Sequence, residues 1–155
     1  MKKSEETLED FAISYPLDKL APLEQILFLD IETTGFTSRT SYLYMIGCAY
    51  YQAGKWRTIQ WMADDYSQEG DILTAFFDFA RDYRYLVHFN GNNFDLPFIT
   101  QKCAQLKLPF SFDSQQAFSL VHQCIHLPAD RLLGQILFPC TSHSNVLISI
   151  CNTDD

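Results

Sequence analysis

Ile26-Leu27-Phe28-Leu29-Asp30-Ile31-Glu32-Thr33-Thr34-Gly35 is the stretch on which the fold turns. Its first four residues are apolar on both faces of an extended chain, the pattern of a central strand covered on each side. Asp30 and Glu32 interrupt that run two residues apart, so both side chains leave the same face. Carboxylates roughly 6–7 Å apart repel by about 2–3 kcal/mol at an effective dielectric of about 20. The first cationic side chain after them in sequence is Arg39. Two arrangements relieve the repulsion: a strand end hydrated by solvent, or a hard divalent cation held between the oxygens.

Outward from this strand, Thr34-Gly35 and the Ser/Thr-rich residues to Ser41 read as a loop. Residues 42–52 are rich in aromatic and β-branched side chains, and Ala53-Gly54 turns them into residues 55–62, so the two runs predict a hairpin. Asp64, Asp65 and Ser67 offer caps for a helix over residues 68–83, where Ile72, Leu73, Phe76, Phe77, Ala80 and Tyr83 share one face. A short strand follows at 85–89, then a turn at 90–93, then a helix over 96–106 with Pro97 in its first turn. The order β-β-β-α-β-α predicts an α/β mixed sheet: three antiparallel strands plus a parallel one, flanked by helices.

The chain has 155 residues, of which 47% are apolar and 19% charged, enough for one domain and its core. Eleven Lys+Arg against 19 Asp+Glu give a net charge of −8, which opposes non-specific attraction to nucleic acid. A bound cation reverses the field locally, so this charge does not exclude an enzyme of nucleic acids. No apolar run approaches the roughly 20 residues of a membrane span, and the polar start lacks the apolar core of a signal peptide. The expectation is a cytosolic protein whose five cysteines are reduced and mostly buried. Residues 1–24 read as a polar leader and 25–120 as the folded core. Residues 121–155 form an atypical tail: poor in charge, without helical period, holding three of the five cysteines, and expected to pack poorly.

The second carboxylate signal follows the second strand, in His88-Phe89-Asn90-Gly91-Asn92-Asn93-Phe94-Asp95-Leu96-Pro97-Phe98-Ile99. Asp95 alone is an acid in a helix's first turn, favoured there by the macrodipole, and Asn90-Gly91 alone is a turn. Taken together and in order, the two motifs resemble those of the DEDD (DnaQ-like) 3′–5′ exonucleases of the ribonuclease H-like superfamily. The short spacing and Tyr44-Met45-Ile46-Gly47 resemble the YprB-type ribonuclease H-like subgroup, and the second motif is also similar to that of B-family polymerase proofreading domains. The resemblance covers residues 25–109.

The resemblance implies a ribonuclease H-like sheet and phosphodiester hydrolysis with two Mg²⁺ or Mn²⁺ ions. It implies that Asp30, Glu32 and Asp95 are catalytic metal ligands, that Thr33 and Thr34 lie near the terminal nucleotide, and that Asn90 orients the loop or substrate. Phe94 is expected to pack beneath Asp95. The implied partner is single-stranded or 3′-ended DNA or RNA. The family's third motif, a His or Tyr followed four residues later by the last Asp on a C-terminal helix, is poorly matched. His126 and Asp130 have the spacing, yet Pro128 stands between them and breaks a helix. The expectation is therefore an incomplete C-terminal part, truncated or frame-shifted, and an impaired exonuclease. Two alternatives stay open: a non-catalytic nucleic-acid-binding module, and a zinc-binding or interaction domain using Cys124, His126, Cys140 and His143.

Overall fold

The computed structural model describes residues 1–9, 16–19, 21–88, 93–110 and 112, and the backbone of residues 123–126. The strands are β1 (Lys2–Leu8), β2 (Ile26–Thr33), β3 (Leu43–Gln52), β4 (Lys55–Met62), β5 (Tyr85–His88) and β6 (Gln123–His126). Two α-helices, α1 (Glu69–Ala80) and α2 (Asp95–Gln105), and three short 3₁₀ turns at Leu17–Lys19, Leu23–Gln25 and Tyr66–Gln68 complete the described elements. They build one sheet in the order β1-β4-β3-β2-β5-β6. β1, β4, β3 and β2 pair antiparallel, whereas β2, β5 and β6 run parallel. This is the mixed α/β sheet expected from the sequence, with β2 at its centre.

β2 owes its place to its residues. Leu27, Leu29 and Ile31 point to one face, where they join the buried side of α1 (Ile72, Leu73, Phe76, Phe77, Ala80) and Leu96, Phe98, Ile99 and Cys103 of α2. Ile26 and Phe28 point to the other, into a smaller cluster with Leu17, Ala21, Ala49, Trp56 and Val87. Asp30 and Glu32 continue this second face at the end of the strand. Cys48 and Cys103 are free, buried thiols, as expected. No helix among the described residues is long and apolar enough to cross a membrane.

Described strands lie on both sides of residues 25–120. Residues 2–8, read as part of a polar leader, form an edge strand paired along its whole length with β4. Its side chains are mostly exposed, so no apolar alternation announces it; ladder hydrogen bonds and ion pairs such as Arg57–Glu5 hold it. In the tail, residues 123–126 add a sixth strand beside β5. The expectation of poor packing otherwise falls outside the described residues, as do Asp130, Cys140 and His143.

Candidate active site

Strand β2 runs parallel to β5 with Leu29 opposite His88, so both strands end at the same edge of the sheet. Beyond Leu29 the first strand carries Asp30 and Glu32. After His88 the next described element is α2, which starts at Asp95. Parallel pairing thus brings two acids from one strand and one acid from a helix start to a common end. Asn90 falls in the intervening sequence, outside the described residues.

The three carboxylates sense one another. Asp95 is 6% exposed at the N-terminus of α2, a position whose dipole favours the ionised form. Burial, followed by the charges of Asp30 and Glu32, overrides the dipole and pushes Asp95 from 3.8 up to about 7. Asp30 also rises to about 7, through burial first and the neighbouring Glu32 second, against a hydrogen bond from the Ile31 backbone. Burial raises Glu32 as well, opposed by the hydroxyl of Tyr44. Among the described residues none of the three has a Lys or Arg ion-pair partner.

Tyr44 reaches this face because of a bulge. Glu32 pairs with Met45, but Thr33 pairs with Leu43, which leaves Tyr44 as the extra residue of β3. A bulged residue is re-aimed relative to strict alternation, and the Tyr44 hydroxyl stands 3.5 Å from Glu32 Oε2. Gly47 lies opposite Asp30 and adds no side chain to the face there.

The two threonines shape the loop that follows. Thr33 Oγ1 donates to the carbonyl of Gly35 at 2.9 Å. Thr34 Oγ1 accepts from the Tyr42 amide at 2.9 Å, which leaves its own proton available to a ligand. At Gly35 a Cβ would come within 2.7 Å of Ser41 Oγ, so a larger residue there needs that hydroxyl to swing away. Next to it, Phe36 is 90% exposed and meets the edge of Phe94 at a ring separation of 6.1 Å. Phe94 packs in turn on Phe98 at 5.5 Å. The sequence reading passed over Phe36 and the contact of Tyr44. An aromatic residue in a Ser/Thr-rich loop just after the acids signals the former; no local pattern signals the latter.

Three oxygen-donor carboxylates without a competing cation are the donor set a hard divalent ion prefers. Their side chains are not gathered tightly, since no group of three or more His, Cys, Asp or Glu among the described residues is close enough to hold a metal ion. The third-motif candidate starts at His126, the last residue of β6, and so begins on a strand rather than on a helix.

Comparison with known proteins places this geometry in a family. The chain is 39% identical over 46 residues to a DNA polymerase of Ostreid herpesvirus 1 (isolate France), a match of 28% of this chain and 2% of that protein. A family B DNA polymerase from the hyperthermophilic archaeon Pyrobaculum calidifontis overlays on 57% of this chain and 12% of its own, at 20% identity and a TM-score of 0.49. The chain therefore spans only a small fraction of either polymerase. Residues 27–136 match the RNase_H superfamily model, a span that takes in all three converging carboxylates and most of the sheet; the chain belongs to the RNase_H superfamily.

Proposed function

We propose that this chain is a metal-dependent 3′–5′ exonuclease-type domain of the DEDD kind, close to the YprB subgroup, acting on single-stranded or 3′-ended DNA or RNA. The observation that carries the reading is the convergence of Asp30, Glu32 and Asp95 on one end of the sheet: Asp95 is buried, Asp30 and Glu32 are half-buried, and none has an ion-pair partner among the described residues. Such a trio is unfavourable for its own sake and becomes favourable around a divalent cation.

Asp30, Glu32 and Asp95 would hold Mg²⁺ or Mn²⁺, which supplies an activated water and charge stabilisation for in-line phosphodiester cleavage. Ligation requires the acids in their ionised form, so Asp30 and Asp95 release protons as the ion enters. Thr34 has an O–H free to donate to a phosphate or sugar oxygen. Phe36 offers an exposed ring beside Phe94 on which a terminal base can stack. Asn90 would orient the second-motif loop or the substrate.

Turnover is proposed to be slow. A helical third motif with its acid and its general base has no counterpart among the described residues, and loss of a general base alone lowers rates by about 10²–10⁴-fold. The test is a 5′-labelled single strand incubated with the full chain in Mn²⁺, beside Asp30→Ala. Slow shortening that stops with EDTA and is absent from Asp30→Ala supports the reading. Metal-dependent binding without shortening replaces it by the non-catalytic nucleic-acid-binding module. Fast digestion means a fourth ligand is present, and Asp130 is the first residue to substitute.

A further inference from the structure

Glu69 and Lys102 are ionisable residues that the proposed chemistry leaves unused, yet their charged groups are among the most buried in the molecule. Their side chains are 5% and 6% exposed, and Lys102 Nζ stands 3.0 Å from Glu69 Oε1 and 3.3 Å from Oε2. Glu69 Oε1 also accepts the amide of Leu43 at 2.6 Å. One carboxylate thus ties together the start of α1, the start of β3 and the third turn of α2. A buried ion pair is seldom the most stable way to fill a core, since apolar residues of similar volume do as well or better. What such a pair adds is a fixed geometry between the parts it joins.

Those parts are the two that carry the candidate site. Leu43 closes the loop of residues 34–42 that begins immediately after Asp30 and Glu32. Lys102 lies two turns along α2 from Asp95, on the same side of the helix. Further contacts repeat the connection. Lys102 Nζ sits 5.2 Å from the Tyr42 ring and 5.9 Å from that of Phe98. Ser38 Oγ donates to Gln101 Oε1. Phe36 meets Phe94 one residue before Asp95. Within the loop, Thr34 N and Ser41 N bond to the carbonyls of Tyr42 and Thr37, and Tyr42 N bonds to Thr34 Oγ1. The loop is one hydrogen-bonded unit clamped to α2 through a buried charge.

We propose that Glu69 and Lys102 are positioning residues: their ion pair locks the loop of residues 34–42 to α2 and so sets where Asp95 stands relative to Asp30 and Glu32. The inference rests on the carboxylate-site reading for its purpose, though the mechanical coupling can be measured without it. Lys102→Met leaves a buried carboxylate unpaired and is expected to lower the melting temperature sharply. Glu69→Gln/Lys102→Met keeps an acceptor for Leu43 and removes both charges, so the melting temperature should return most of the way to that of the parent.

The deciding readouts are made on the full-length double variant. Amide exchange of Thr34, Ser41 and Tyr42 in metal-free protein should accelerate at least tenfold while β2 and β3 stay protected, and Mn²⁺ affinity by calorimetry should fall about tenfold. A double variant with parental protection in the loop and parental Mn²⁺ affinity overturns the inference, leaving the pair as packing. Faster loop exchange, in a background where the parent itself shows no Mn²⁺ binding sensitive to Asp30→Ala, supports the coupling and sinks the carboxylate-site reading instead. Should the double variant not fold, Glu69→Asp decides by the same two measurements, because it keeps both charges and lengthens only the contacts of the carboxylate with Lys102 and Leu43.

Discussion

Asp30 and Asp95 titrate near 7 instead of 3.8, and that displacement links stability, pH and cation binding. With a raised folded-state value, the native protein holds protons between pH 4 and 7 that the unfolded chain has already released. Stability is therefore greatest on the acid side of that window and falls as pH rises through about 7. Asp30→Asn removes the ionisation and should raise the stability of the metal-free protein at pH 8 by roughly 1–3 kcal/mol while abolishing Mn²⁺ binding. The parent's Mn²⁺ affinity should weaken between pH 8 and pH 6, by about tenfold for each acid that must lose a proton. Chemical denaturation and calorimetry across that range check both statements; an Asp30→Asn protein less stable than the parent at pH 8 would falsify the repulsion account. At this scale the sequence was legible for Asp30, Glu32 and Asp95, because motif spacing names them. Their protonation was not, because burial and three-body repulsion arise only once β5 and α2 bring Asp95 across.

At the scale of elements, period and punctuation carried most of the information. The hairpin boundary between residues 52 and 55, the apolar face of α1 and the first-turn placement of Pro97 in α2 all follow local rules, and the structure agrees with each. The hairpin turn is imperfect. Ala53 has φ 53° and Gly54 φ 78°, a two-residue loop with both residues left-handed, which an L-residue with a Cβ resists. Ala53→Asn should stabilise the protein by about 0.5–1 kcal/mol without moving either strand, measurable as a higher denaturation midpoint at unchanged slope. A lower midpoint would mean that the turn is not the strained element. The bulge at Tyr44 escaped the sequence reading, since its strand pattern looks regular and the extra residue exists only relative to β2.

For the whole molecule, the sheet is wider than its apolar segments. β1 completes it with polar side chains, and the Met1 amino group and Lys2 both bond to Asp64 across that edge. Without residues 1–9, β4 would become the edge strand, with Trp56 and Trp61 less covered, and exposed edges of this kind pair between molecules. The shortened chain should keep its fold, melt several degrees lower and self-associate with increasing concentration in sedimentation. A shortened chain that stays monomeric at high concentration shows that β4 is protected by other means.

The sequence by itself determined the elements and the acids: alternation, helical period, turn residues and two ordered motifs are local, and each segment holds them whatever its surroundings. It thereby determined the fold class and the family resemblance. The tertiary structure alone decided the partner of β1, the place of β6, the re-aimed Tyr44, the raised pKa values of Asp30 and Asp95 and the buried union of Glu69 with Lys102. Each of these is a relation between residues far apart in the chain. Its energy comes from desolvation and close approach, quantities that have no value until the chain has closed on itself.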